Sequence, residues 1–357
     1  MLGIISKVPW YVLFRAGGLP RMLPMSLTIS PSFRCNSRCR TCNVYKKDSA
    51  ELSVQEWERV FTGLGKAPFW VTISGGEPFL NEHLGDLACL CYDICRPAII
   101  NIPTNGLLAG RIPDVVRRIG THCRDSAVVV NVSIDAVGIA NDDIRGVPGS
   151  YDKALASVKA LKALQLPNLS VGIHTVISRF NVEAIPSIYQ TLRAFDADSY
   201  ITEIAEERVE LDTIGACITP ESERYTEAAD FLIGQLQKER FSRLGRITRI
   251  FRMEYYHLVK RILQEHRQVI PCYAGFASAQ IAPDGNVWAC CVRAENMGNL
   301  KSVDFDFKKI WFGKGAEQVR KSIRAGECHC PLANAAYTNM LHSPGSLFRV
   351  MRNLVGV

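Results

Sequence analysis

The stretch Cys35-Asn36-Ser37-Arg38-Cys39-Arg40-Thr41-Cys42 sets three thiols at C-x3-C-x2-C, just past the apolar run Leu27-Thr28-Ile29. Three thiolates hold three irons of a [4Fe–4S] cube and leave the fourth iron without a protein ligand. That iron is free to bind a substrate or cofactor, so such a cluster can do chemistry as well as carry electrons. Free thiols and a zinc site are the competing readings. Zinc takes four ligands, usually from paired knuckles, and no fourth lies nearby.

Working outward, Phe69-Trp70-Val71-Thr72-Ile73-Ser74 reads as a buried strand that ends in Gly75-Gly76-Glu77-Pro78. Glycines allow close backbone approach and unusual dihedrals, and a carboxylate beside them favours an amine donor. With the cysteine triplet after one strand and this tetrapeptide after the next, the chain resembles the radical S-adenosylmethionine (radical SAM) superfamily. The resemblance implies that the open iron is chelated by the amino and carboxylate groups of SAM, with Gly75, Gly76, Glu77 and Pro78 orienting the amino group. It also implies a 5′-deoxyadenosyl radical that abstracts hydrogen from a substrate, and a reductant such as flavodoxin or ferredoxin.

Apolar runs alternate with helical patterns from about residue 26 to residue 205. Later strands are expected at 98–102, 128–135, 169–174 and 199–203, with helices at 108–120, 150–165 and 183–196. Ser53-Val54-Gln55-Glu56 has the form of a capping box opening a helix through Trp57, Val60, Phe61 and Leu64. Continuous β-branched runs suggest a parallel sheet under helices. The expected class is α/β: a partial (β/α)6 TIM-like barrel, followed by a small cysteine-containing α+β auxiliary-cluster domain. Barrel chemistry sits at the carboxyl ends of the strands, where every motif above lies.

By the same resemblance, Asn105, Ser133, Asp135 and Arg145 line the SAM pocket. Asn105 before Gly106 also suits a simple Asx turn. Ser133 and Asp135 fall on one side of a strand by its period of two. Arg145 either clamps a carboxylate in bidentate fashion or forms a surface ion pair. Glu203, Glu206 and Glu207, near the end of the sixth strand, are candidate substrate-contacting or proton-moving carboxylates; a helix-start role is the alternative for at least one of them.

Near the end, Cys272 is followed by the hairpin signal Asp284-Gly285, then Cys290-Cys291, and finally Cys328-His329-Cys330. This resembles the auxiliary-cluster extensions called SPASM and twitch domains, whose C-x(9–15)-G-x4-C opening is matched by Cys272, Gly285 and Cys290. The resemblance implies one auxiliary [4Fe–4S] cluster on Cys272, Cys290, Cys328 and Cys330, with Cys291 an alternative to Cys290. Cys89, Cys91, Cys95, Cys123 and Cys217 lack ligand spacing and read as core or incidental residues.

At 357 residues the chain has room for a large domain and a smaller one. The expected divisions are 1–25, an amphipathic N-terminal segment; 26–205, the barrel; 206–265, a helical bridge; 266–335, the auxiliary domain; and 336–357, an amphipathic tail. Thirteen cysteines in a long chain point to metal or core rather than to a secreted disulfide scaffold. An oxygen-sensitive cluster demands a reducing compartment, so the cytoplasm is expected. A net charge of +7 accompanies no aromatic-plus-basic motif, which argues against nucleic acid.

Both ends are apolar with basic flanks. The first carries Ile4, Ile5, Val8, Trp10, Tyr11, Leu13 and Phe14 with Lys7, Arg15 and Arg21; the last carries Leu347, Val350, Met351, Leu354 and Val355 with Arg349 and Arg352. Such helices suit peripheral contact with the inner face of a membrane, packing on the protein being the other reading. The organic substrate is left open among a lipid or lipid-linked glycan, a ribosomally made peptide, and a small sugar or alcohol.

Overall fold

A computed structural model describes residues 6–238 and 243–355. Strands and helices alternate after a first helix, α1 (Val8–Gly17): β1 (Ser26–Ile29), α2 (Val54–Leu64), β2 (Trp70–Ile73), α3 (Leu84–Cys95), β3 (Ile99–Thr104), α4 (Ile112–His122) and β4 (Ala127–Ser133). Two helices follow β4, α5 (Ile139–Arg145) and α6 (Ser150–Lys162); then come β5 (Leu169–Ile177), α7 (Ile185–Leu192) and β6 (Ser199–Ile204). The capping box is formed: Ser53 Oγ accepts from the Glu56 N–H at 3.3 Å, and the Ser53 N–H donates to the Glu56 carboxylate at 2.7 Å. Such a cap stabilises its helix by about 1 kcal/mol.

β1 to β6 are all parallel and neighbours in sequence order, the open-barrel arrangement of repeated βα units. One face carries the core, with Ile100, Ile102, Val128, Val130, Val132 and Ile173 buried under the helices. The other face is polar, contrary to the unbroken apolar runs expected. Asn101, Asn131, Ser133, His174 and Glu203 alternate with the core residues and are half-exposed. Asn131 Nδ2 donates to Asn101 Oδ1 at 2.9 Å, and Asn101 Nδ2 to Thr72 Oγ1 at 3.4 Å. The reason is geometric: the inner face of an unclosed barrel looks onto a water-accessible lumen.

Two long helices follow the barrel, α8 (Ser222–Lys238) and α9 (Arg243–Glu265). The chain then returns to the sheet. β7 (Ser278–Ile281) pairs in parallel with β1, and β8 (Asn286–Trp288) and β9 (Asn296–Asn299) continue antiparallel. One sheet of nine strands results among the described residues, in the order β6-β5-β4-β3-β2-β1-β7-β8-β9. The hairpin expected at Asp284-Gly285 joins β7 to β8, with Gly285 at φ 87°. Four short helices close the chain: α10 (Phe307–Trp311), α11 (Lys314–Arg324), α12 (Ala333–Leu341) and α13 (Pro344–Val355).

The terminal helices divide their faces. Tyr11 and Phe14 are buried, Tyr11 edge-on to His342 at 5.3 Å and Phe14 edge-on to Phe276 at 5.7 Å. Trp10, Leu13 and Leu19 stay exposed, as do Phe348 and Met351 of α13. Ile4 and Ile5 lie outside the described residues, as do the side chains of Leu354 and Val355. No helix among the described residues is long and apolar enough to cross a membrane.

Candidate metal centres

The C-x3-C-x2-C loop leaves the end of β1 and is tied down from three directions. From the end of β2, the Gly76 N–H donates to Ser32 O at 2.9 Å and the Glu77 N–H to Arg34 O at 2.8 Å. The glycines are obligatory here. A Cβ on Gly75 would stand 2.2 Å from Ser32 O, and one on Gly76 2.1 Å from Arg34 O. From the end of β3, Asn105 Nδ2 donates to Asn36 Oδ1 at 2.7 Å and to Ser37 Oγ at 3.0 Å. From α5, the carbonyls of Ile144 and Arg145 accept from the Arg40 and Arg38 N–H groups at 2.8 and 3.0 Å.

The three thiols lie close enough to repel one another as thiolates. Burial pushes all of them up, Cys42 to about 12. Backbone N–H groups of Ser37 and Val44 point at Cys35 and Cys42 sulfur at 3.4 Å. Such thiols stay protonated until a cation displaces the protons. Among the described residues no three His, Cys, Asp or Glu side chains converge on a single-ion position. A cube needs only one sulfur at each of three irons, and this loop supplies that.

Several expected site residues turn out to be occupied by the chain itself. Glu77, expected to orient an amino group, is buried; its carboxylate accepts from Thr104 Oγ1 at 2.8 Å, the Asn105 N–H at 2.7 Å and the Phe79 N–H at 3.2 Å. Through these bonds it cross-links the ends of β2 and β3. Asn105 both ties the cysteine loop and makes the Asx turn, its Oδ1 accepting from the Leu107 N–H at 3.0 Å. β4 stops at Ser133, which is half-buried, and Asp135, two residues further on, is fully buried. There it accepts from Arg145 at 3.0 Å and from the Val176 N–H at 2.8 Å. Arg145 is therefore neither a surface pair nor a free clamp, but half of a buried ion pair.

Past β6 the segment 205–213 crosses the side the barrel leaves open. Its backbone reaches both cysteine regions: the Glu210 N–H donates to Cys291 O at 3.2 Å, and the Asn43 N–H to Leu211 O at 2.9 Å. Glu203 faces the lumen with His174 at 3.7 Å. Glu206 is buried, and burial pushes it up to about 7 against the pull of Arg208. Arg208 stands 3.0 Å from Glu206 Oε1, yet neither Glu206 oxygen has a well-aligned hydrogen bond. Glu207 is spent on the turn, accepting from the Gly215 and Cys217 N–H groups at 2.7 Å. Sequence reading singled out the carboxylates and passed over Arg208; its place between Glu207 and Val209 carries no spacing signal.

Beside this segment the second set of thiols gathers, at the seam between residues 205–213 and the β7–β8 hairpin. Cys290 is close enough to Cys272 and Cys328 to feel their charge, and Cys330 to Cys272 and Cys290. Burial pushes Cys290 up to about 12. Cys291 packs in one small cluster with Cys290 and Cys330, and Arg208 Nη1 lies 3.7 Å from its sulfur. The remaining Cys89, Cys91, Cys95 and Cys123 are buried in the helical layer, while Cys217 is exposed.

The profile of the radical SAM superfamily matches residues 29–192, and that of the SPASM iron–sulfur cluster-binding domain matches residues 272–331. The chain carries a radical SAM domain followed by a SPASM iron–sulfur domain. Its cofactors are a radical SAM [4Fe–4S] cluster, S-adenosylmethionine and an auxiliary iron–sulfur cluster, and both donor sets fit such groups. Over 161 residues the chain is 32% identical to pre-heme d1 synthase of Dinoroseobacter shibae, covering 43% of this chain and 37% of that one. Over 181 residues it is 25% identical to PqqA peptide cyclase of Rhodopseudomonas palustris, covering 49% and 45%. The chain thus spans less than half the length of these relatives. Among solved structures, SuiB of Streptococcus suis bound to S-adenosylmethionine superposes with a TM-score of 0.63 at 15% identity, covering 90% of this chain and 72% of that one. That likeness concerns the fold.

Proposed function

We propose that the protein is a radical SAM oxidoreductase or transferase that abstracts a hydrogen atom from an organic substrate held in the barrel lumen. The observation that carries this reading is the cysteine loop clamped against Gly75 and Gly76 at the carboxyl ends of β1 and β2. When bound, the cluster and SAM supply a 5′-deoxyadenosyl radical reactive enough to attack an unactivated C–H bond. Cys35, Cys39 and Cys42 hold three irons, and the backbone of residues 75–78 shapes the wall beside the fourth. Ser133 remains for SAM or substrate, while Glu77, Asn105 and the Asp135–Arg145 pair fix the loop. Glu203, His174, Asn101 and Asn131 present hydrogen-bond partners to a polar substrate. Glu206, whose oxygens lack aligned donors, accepts a proton from it. Cys272, Cys290, Cys328 and Cys330 hold the auxiliary cluster, placed at the seam to take an electron from the substrate or pass one inward. A small reductant such as flavodoxin or ferredoxin supplies the first electron.

The substrate we favour is amphipathic, a lipid-linked glycan or related lipid. Its polar part meets the lumen, while the mouth of the barrel exposes Ile139 and Ile214. Trp10, Leu13, Phe348 and Met351 on the terminal helices, with exposed Lys7, Arg21 and Arg352, suit the inner face of an anionic membrane. A ribosomally made peptide is the second reading, supported by the likeness to PqqA peptide cyclase. Anaerobic reconstitution with dithionite should yield 5′-deoxyadenosine from SAM, and Cys35→Ala should abolish it. Fully loaded protein that leaves SAM intact would sink the reading. Liposome flotation decides the substrate class: protein that remains unbound to anionic vesicles favours the peptide.

A further inference from the structure

The carboxyl end of α5 does more than terminate a helix. A helix leaves its last carbonyls without intrahelical partners. Here those of Ile144 and Arg145 are satisfied by the N–H groups of Arg40 and Arg38, the residues on either side of Cys39. Gly146, at φ 65°, ends the helix so tightly against the loop that a Cβ there would stand 2.2 Å from Arg38 O. The middle cysteine is therefore fixed directly to the end of α5.

The same helix end turns a cation inward. Arg145 is only 12% exposed and its Nη1 is held at 3.0 Å by Asp135, itself 1% exposed. Asp135 is anchored in turn by the Val176 N–H of β5, so neither partner can swing to solvent without losing its mate. Besides Asp135, the sulfurs of Cys39 and Cys35 lie within the field of the guanidinium. The other nearby cation, Arg38, is turned back onto Cys35 O and Ser37 O at 2.9 Å and lies over the Tyr45 ring. The only buried carboxylate on the same side besides Asp135 is Glu77, already bonded to three donors of the chain among the described residues.

We propose that Arg145 is a positioning residue that sets the reduction potential of the cluster held by Cys35, Cys39 and Cys42. The inference rests on the cluster assignment made above. One-electron reduction adds a negative charge to a group buried beside this guanidinium, and a fixed cation in a low-dielectric site stabilises the more negative state. Asp135 holds the cation in place and offsets part of its charge. The potential of the cluster is thus set by two side chains outside the cysteine motif.

The test is an EPR-monitored redox titration of reconstituted protein without SAM, with iron counted in each sample. Arg145→Gln should lower the ratio of reduced to oxidised cluster about tenfold at a fixed potential, about 59 mV for one electron. Arg145→Lys should stay near wild type, and Asp135→Asn should raise the ratio. An unchanged midpoint in iron-replete Arg145→Gln, with weakened SAM binding in its place, overturns the inference in favour of a carboxylate clamp. If Arg145→Gln holds no iron, Asp135→Asn decides, and a ratio that does not rise overturns it. Wild-type protein that takes up no iron at this site overturns the cluster assignment itself, and this inference with it.

Discussion

The two sets of thiols solve the same problem in opposite ways. Cys35, Cys39 and Cys42 lie within eight residues, on a loop whose shape is imposed by the ends of β2, β3 and α5. Cys272, Cys290, Cys328 and Cys330 come from distant positions, and what gathers them is the β7–β8 hairpin, joined to β1 through β7, together with the segment before α12. On the assignment we propose, the first set offers three sulfurs and leaves an iron open, and the second offers four and leaves none. On that reading the site for chemistry is short of ligands and rich in clamps, whereas the site for electrons is fully ligated and depends on the global fold.

The contrast can be broken most decisively by removing one sulfur from each. Wild-type protein should hold about eight irons, two cubes of four. Both Cys39→Ala and Cys290→Ala should fall to about four. Only the first should lose 5′-deoxyadenosine formation altogether; equal loss in both would erase the distinction. The next effect concerns the clamps. Gly76→Ala drives a methyl into the backbone oxygen of Arg34 and should cost about 2–4 kcal/mol in urea unfolding of the apoprotein. Gly275→Ala, next to the second set at φ 75° and 3.2 Å from Ala289 Cβ, should cost about 1–2 kcal/mol for its left-handed backbone. The reverse order would mean that the first loop is not held as tightly as its contacts indicate.

The smallest effect is a pH slope at the boundary between the two regions. Burial raises Glu206 from 4.5 to about 7 in the folded chain. Between those values the folded apoprotein binds more protons than the unfolded one, so stability falls as pH rises through that window. Glu206→Gln should flatten this slope in thermal melts, leaving a remainder from Glu77 and Glu210, which burial also raises. A slope unaffected by the substitution would place Glu206 in contact with water.

What could be read from sequence was what is local. The cysteine spacing, Gly75-Gly76, the Ser53–Glu56 box and the Asp284-Gly285 turn each depend on a few neighbouring residues, and each is where expected. The six parallel strands were legible because each βα unit repeats one pattern. Orientation beyond a strand end was not: nothing in Ser133-Ile134-Asp135 announces that β4 stops and that Asp135 swings towards Arg145. Nor does the run Glu206-Glu207-Arg208 show which side chains are buried, because that depends on the segment 205–213 crossing to Cys291 and Asn43. The pairing of β7 with β1 was invisible for the same reason, since the two strands are separated by nearly the whole barrel.

That pairing has a practical consequence for anyone cutting the gene. A truncation before residue 266 would strip β1 of one of its two partners and lay bare a row of unsatisfied amides and carbonyls beside the cysteine loop. Exposed edges of this kind recruit other chains, so the shortened protein should clump rather than persist as a smaller enzyme. Swapping tail regions between relatives would then have to preserve the seam as well as the sulfurs.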